Sequence, residues 1–312
     1  MMAFYIGVMN LSTCWLGLRA WRFPLIICLL LLAPFANAQQ TLNVLASIKP
    51  LQLIAQALTQ DITDTQVLLP PGVTPHDYAL KPSDLKRVYA SDVLIWLGSE
   101  VEPYLAKPAT MYQGEQLATW QSSENSHEEN HDHDHHHDGH DHLYGDPHIW
   151  FSPDQAASIA RQLAGVLIAK DQQNASRYQQ NLTDFLTRVS RKDVEIKAQL
   201  ADQLPAYLVA HDAYSYFEEH YGLKHVAAIS DTPESKPGAR GLLTLRRLIA
   251  EQQIRCLFIE PQTDQRIVSI LAENNALQVY SLDPMANEIG VSDTGYENFL
   301  QDTADRFSQC HW

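Results

Sequence analysis

Two successive series of short apolar segments, each alternating with stretches of helical periodicity, limit this chain of 312 residues to a small set of architectures. The first series runs through "TLNVLAS" (41–47), "TQVLLP" (65–70) and "SDVLIWLG" (91–98), with helices expected over 50–58 and 82–89. The second runs through "AYLVAH" (206–211), "KHVAAIS" (224–230), "RCLFIEP" (255–261) and "LQVYSLD" (277–283). Strand and helix in alternation predict an α/β fold, and the repetition predicts two similar lobes, one over 39–152 and one over 201–312.

The segment between them has no proline after Pro153, and its apolar residues recur at helical spacing through Ile159, Leu163, Val166, Leu167, Leu182, Phe185, Val189, Val194 and Ile196. Ser152 suits a helix cap and Pro153 a first helical position. One long connecting helix over 153–200 is expected, with at most a brief break near Gln173. Two separate helices in one bundle are the alternative, because uncapped helices longer than about 25 residues are uncommon.

Residues 1–38 read as a secretory signal. Arg19 and Arg22 precede the apolar run from Phe23 to Phe35, and "ANA" follows, placing cleavage near Ala38. The run is shorter than the roughly 20 apolar residues a spanning helix needs. An exported, soluble mature chain is expected, without membrane insertion. Removing the signal leaves 20 basic against 37 acidic residues, which makes nucleic acid and anionic membranes poor partners. It also leaves only Cys256 and Cys310, and an even pair in an exported chain reads as a disulfide.

Histidine carries the chemistry. "PHDY" contains His76, "DPHIWFSP" contains His148 and "HDAYSYFE" contains His211, each at the end of an expected element, where ligands of open α/β sheets gather. Asp77, Asp146 and Asp212 flank them and could orient imidazole N–H groups, or could simply be turn and cap residues. A different segment, about 121–147, holds eight more histidines (His127, His131, His133, His135, His136, His137, His140 and His142) among eight acids, with no Lys or Arg. Its composition cannot bury a core, so it is expected to be a disordered loop that binds metal more weakly than a preformed cage.

The order of "PHDYALKPSD", "DPHIWFSP", "HDAYSYFE" and "LDPM", together with the paired cysteines and the His/Asp-rich segment, closely resembles the ZnuA-type zinc-binding proteins of bacterial ABC importers. The likeness spans essentially the whole mature chain. It implies two α/β lobes bridged by one long helix, with Zn²⁺ bound in the cleft between them as transported ligand. It further implies His76, His148 and His211 as ligands, with Asp283 or a water completing the coordination. Periplasmic capture by a monomer and delivery to a membrane permease would be the function, with no catalytic role.

The donor set agrees, because three imidazoles with at most one carboxylate suit zinc, whereas manganese prefers more oxygen. Manganese-binding relatives carry an acid at the position matching His211. Some zinc relatives carry an acid just before the first histidine, where this chain has Pro75. Uptake of manganese or iron is the rival within the family. A secreted zinc hydrolase is the rival outside it, although no "HxHxDH" spacing occurs.

Overall fold

The computed structural model describes residues 41–120 and 145–311, apart from Gln203, Asp231, Glu234, Asn274 and the side chain of Asp77. The expected signal segment 1–38 and the eight histidines from His127 to His142 lie outside the described residues.

The first lobe is built from β1 (Val44–Ala46), α1 (Lys49–Thr59), β2 (Gln66–Val67), α2 (Pro82–Ala90), β3 (Val93–Trp96), α3 (Pro103–Met111) and β4 (Glu115–Ala118). Its strands form a parallel sheet in the order β2-β1-β3-β4. The central strands β1 and β3 are buried along their whole length, as parallel strands covered on both faces must be. The edge strand β4, with Glu115 and Gln116 exposed, carries little apolar signal and was not anticipated from the sequence.

The second lobe repeats the plan with β5 (Tyr207–His211), α6 (Ser215–Tyr221), β6 (Ala227–Ser230), α7 (Ala239–Glu251), β7 (Cys256–Ile259), α8 (Gln265–Ala272) and β8 (Gln278–Ser281). These strands are also all parallel and stand in the order β6-β5-β7-β8. Strand alternation divides this lobe's core. Leu208 and Leu257 face a small cluster with Ile249 and Leu271, while Tyr207, Val209 and Phe258 belong to the main core.

A long helix is present and the break falls near Gln173 as expected, but the extent 153–200 is corrected. The segment forms α4 (Pro153–Lys170) and α5 (Ala175–Gln199), separated by a short 3₁₀ turn at Gln172–Asn174, and the two helices pack against each other. Asp171 explains the break. Its carboxylate accepts hydrogen bonds from Asn174 Nδ2 at 2.6 Å and Tyr178 Oη at 3.1 Å, a local alternative to continued helix that Asp and Asn favour. The capping expectation is met, because Ser152 Oγ accepts from the Gln155 N–H at 3.3 Å. The 25 residues of α5 make a rod about 37 Å long.

Helix α1 is buried on every side from Pro50 to Thr59. It is enclosed by α4, α5 and the C-terminal helix α9 (Gly295–Phe307). Asn181 of α5 donates to the carbonyls of Leu58 and Gln60 at 2.9 and 3.0 Å, satisfying the end of α1. The first residue of α9 packs closely on α1, since a Cβ on Gly295 would come within 2.8 Å of Leu53 Cδ2 and the leucine would have to shift. The expected disulfide is present between Cys256 and Cys310, with Cα atoms 5.9 Å apart. Closing a loop of this length stabilises the fold by about 4 kcal/mol on chain-entropy grounds. Among the described residues no helix is long and apolar enough to cross a membrane.

Candidate metal centre

All three motif histidines stand at or beyond the C-terminal ends of parallel strands. His76 lies in a 3₁₀ turn (Pro75–Asp77) after β2, His148 immediately precedes the 3₁₀ turn Ile149–Phe151 that leads into α4, and His211 is the last residue of β5. Each of the three imidazoles offers a nitrogen, and these atoms lie within 4.8 Å of one another. His148 and His211 are buried and His76 is half-buried.

Carboxylates stand against the rings of His148 and His211. Asp146 Oδ1 accepts from the His148 backbone N–H at 2.9 Å and lies 2.7 Å from His148 Nδ1. Asp146 is itself placed by Trp120, whose indole N–H donates to its carbonyl at 2.9 Å. Glu260, the first residue after β7, puts Oε1 at 2.5 Å from His211 Nδ1. Its second oxygen accepts from Gln262 Nε2 at 2.6 Å, and Tyr214 Oη donates to Oε1 at 3.2 Å.

A carboxylate hydrogen-bonded to Nδ1, as Asp146 is to His148, fixes the proton there and leaves Nε2 as an acceptor. The Nε2 atoms of His148 and His211 face each other at 3.5 Å. Two nitrogens bound to one tetrahedral zinc at 2.0–2.1 Å would stand about 3.4 Å apart. Both lone pairs thus converge where a cation satisfies them, in a pocket whose nearby carboxylates favour positive charge. Trp150 packs edge-on against His148 at 5.1 Å between centroids, and its indole N–H donates to Pro284 O at 2.9 Å, tying this wall to the second lobe.

Asp283, expected together with water as an alternative fourth ligand, is not among the residues whose donor atoms converge. Its oxygens accept from the backbone N–H groups of Met285 and Asn287 at 3.0 and 2.6 Å and from Asn287 Nδ2 at 3.0 Å. The carboxylate shapes its own loop instead. Burial nevertheless pushes its pKa above the ordinary carboxylate range. Of the flanking acids, Asp146 does orient an imidazole, whereas Asp212 accepts from Ser215 Oγ at 2.6 Å in a turn. Glu260 was missed. Its only signal was its place at the end of the strand "RCLFIEP".

A family model described as zinc-uptake complex component A, periplasmic (ZnuA), matches residues 44–310. The chain belongs to the ZnuA family. It is 37% identical to the high-affinity zinc uptake system protein ZnuA of Haemophilus ducreyi over 86% of this chain and 93% of that relative. With the protein of the same description from Haemophilus influenzae it shares 33% identity over 90% and 95% of the two chains. A ZnuA crystal structure superposes with a TM-score of 0.72 at 22% identity, covering 88% of this chain and all of the other. The manganese-bound solute-binding protein FpvC of Pseudomonas aeruginosa superposes at 0.70 with 17% identity, covering 87% of this chain and 98% of that one. Likeness at that level establishes the fold, and the fold alone does not select the metal.

Proposed function

We propose that the protein is the solute-binding component of an ABC-type zinc importer, which captures Zn²⁺ at His76, His148 and His211 in the periplasm and passes it to a membrane permease. The observation that carries this reading is the convergence of three imidazole nitrogens within 4.8 Å, drawn from three separate segments of the chain. An all-nitrogen protein donor set suits zinc over manganese, and a fourth position can be taken by water. The role is capture and release without chemical change in the ligand, by a monomer exported with removal of residues 1–38. ZnuA relatives over most of the chain support the assignment.

The histidines from His127 to His142 supply, in this reading, weaker zinc equivalents that collect metal near the cleft. Titration of the metal-free mature chain with Zn²⁺ and Mn²⁺, followed by elemental analysis, tests both parts. One tight zinc equivalent plus several weaker ones is expected. Deleting 123–142 should remove only the weaker ones. Preference for manganese, or loss of the tight equivalent with the deletion, would count against the assignment.

A further inference from the structure

The loop that brings His76 to the metal centre starts as an extension of the first lobe's sheet, with Leu68 N–H donating to Ala46 O at 2.8 Å and Leu69 N–H to Ser47 O at 3.0 Å. Residues Pro70, Pro71, Gly72 and Val73 then form a turn closed by Val73 N–H to Pro70 O at 3.4 Å, with Gly72 at φ +78°. Proline at the second position and a positive-φ glycine at the third define a type II turn. In such a turn the third residue's N–H takes no part in the closing bond and points outward.

Here that N–H donates to Asn287 Oδ1 at 2.8 Å, across 215 positions of sequence. Asn287 belongs to the loop after β8 in the second lobe. Its Nδ2 donates to Asp283 Oδ1 at 3.0 Å and its backbone N–H to Asp283 Oδ2 at 2.6 Å. The amide is therefore oriented by the second lobe before it reaches the first. The ionisable neighbour Asp283 works here as an anchor for Asn287.

We propose that Asn287 is a positioning residue for the metal centre: its side-chain amide ties the turn leading into His76 to the lobe that carries His211, and so holds the three imidazoles at ligating distance. The proposal rests on the reading of His76, His148 and His211 as the zinc site. His148 and His211 are buried, whereas His76 is half-buried and rides on a loop. Where that loop sits decides whether the third nitrogen closes on the other two. Releasing it from Asn287 leaves the two-histidine half of the site intact and weakens closure of the third.

The test is a double-mutant cycle on the mature chain, reading zinc dissociation by stopped-flow transfer to a chelator, with parent, Asn287→Ala, His76→Ala and the double variant. Asn287→Ala should speed dissociation about five- to tenfold, the size of one hydrogen bond lost. It should add nothing in the His76→Ala background, because the coupling runs through His76. Thermal unfolding of the metal-free variants checks that Asn287→Ala, at a half-buried surface position, remains folded. An equal acceleration in both backgrounds, or none in the parent, overturns the positioning role. If His76→Ala itself leaves dissociation unchanged, the three-histidine reading fails and the proposal with it. An impaired His76→Ala beside an unaltered Asn287→Ala rejects the proposal alone.

Discussion

Glu260 Oε1 lies 2.5 Å from His211 Nδ1, a contact made possible because β5 and β7 are neighbours in the second sheet and the two residues stand at their adjoining ends. The buried carboxylate places negative charge beside a ring of the histidine cluster, which favours a cation there. Substituting Glu260→Gln should therefore weaken zinc binding roughly 10- to 100-fold while the fold persists. Competition against a chelator of known affinity measures it. Unchanged affinity would show that His211 needs no carboxylate beside it.

Asp283 and the histidines should separate in a substitution series. Replacing His76, His148 or His211 by Ala removes a nitrogen from the cluster and should cost orders of magnitude in zinc affinity. Asp283→Ala removes a loop anchor that accepts three hydrogen bonds, and its loss should be smaller than that of any histidine. A loss as large as that of a histidine variant would place Asp283 among the ligands.

Zinc and protons compete for the same imidazole nitrogens, since a ligating histidine must be neutral. Affinity should fall steadily as pH is lowered from 7 to 5, with proton release on binding. Calorimetry in buffers of different ionisation enthalpy counts the protons. Binding that ignores pH over this range is incompatible with a three-imidazole site.

Glu102 supplies a prediction about stability. It is fully buried after β3, accepting from Leu97 N–H at 2.6 Å and from Tyr104 Oη at 2.5 Å, and burial pushes its pKa up to about 7. The native state therefore holds a proton that the unfolded chain releases near its ordinary value of 4.5. This stabilisation is fully present below the unfolded pKa and is lost as pH rises to about 7, an effect of order 3 kcal/mol. Glu102→Gln mimics the protonated form, so urea unfolding of parent and variant should agree near pH 4.5 and diverge in the variant's favour by pH 8. Parallel pH profiles would refute the assignment of a retained proton to Glu102.

The sequence by itself determined the two α/β lobes, because parallel strands buried on both faces must be written as short apolar runs such as "VLIW" and "YLVAH", and such runs are legible without coordinates. It also determined the disulfide, through the arithmetic of an exported chain with two remaining cysteines, and the identity of the three histidines, through the order of their motifs. The break after Asp171 was legible only as an optional interruption near Gln173, since helical periodicity continues on both sides of a turn whose cause is a side-chain hydrogen bond. Only the tertiary structure brought Glu260 to His211, turned Asp283 into its own loop and linked Asn287 to Gly72. The first and last of those relationships join residues on adjacent strand ends or opposite lobes. Their partners are set by the strand orders β2-β1-β3-β4 and β6-β5-β7-β8 and by packing between lobes, neither of which leaves a local pattern in the chain.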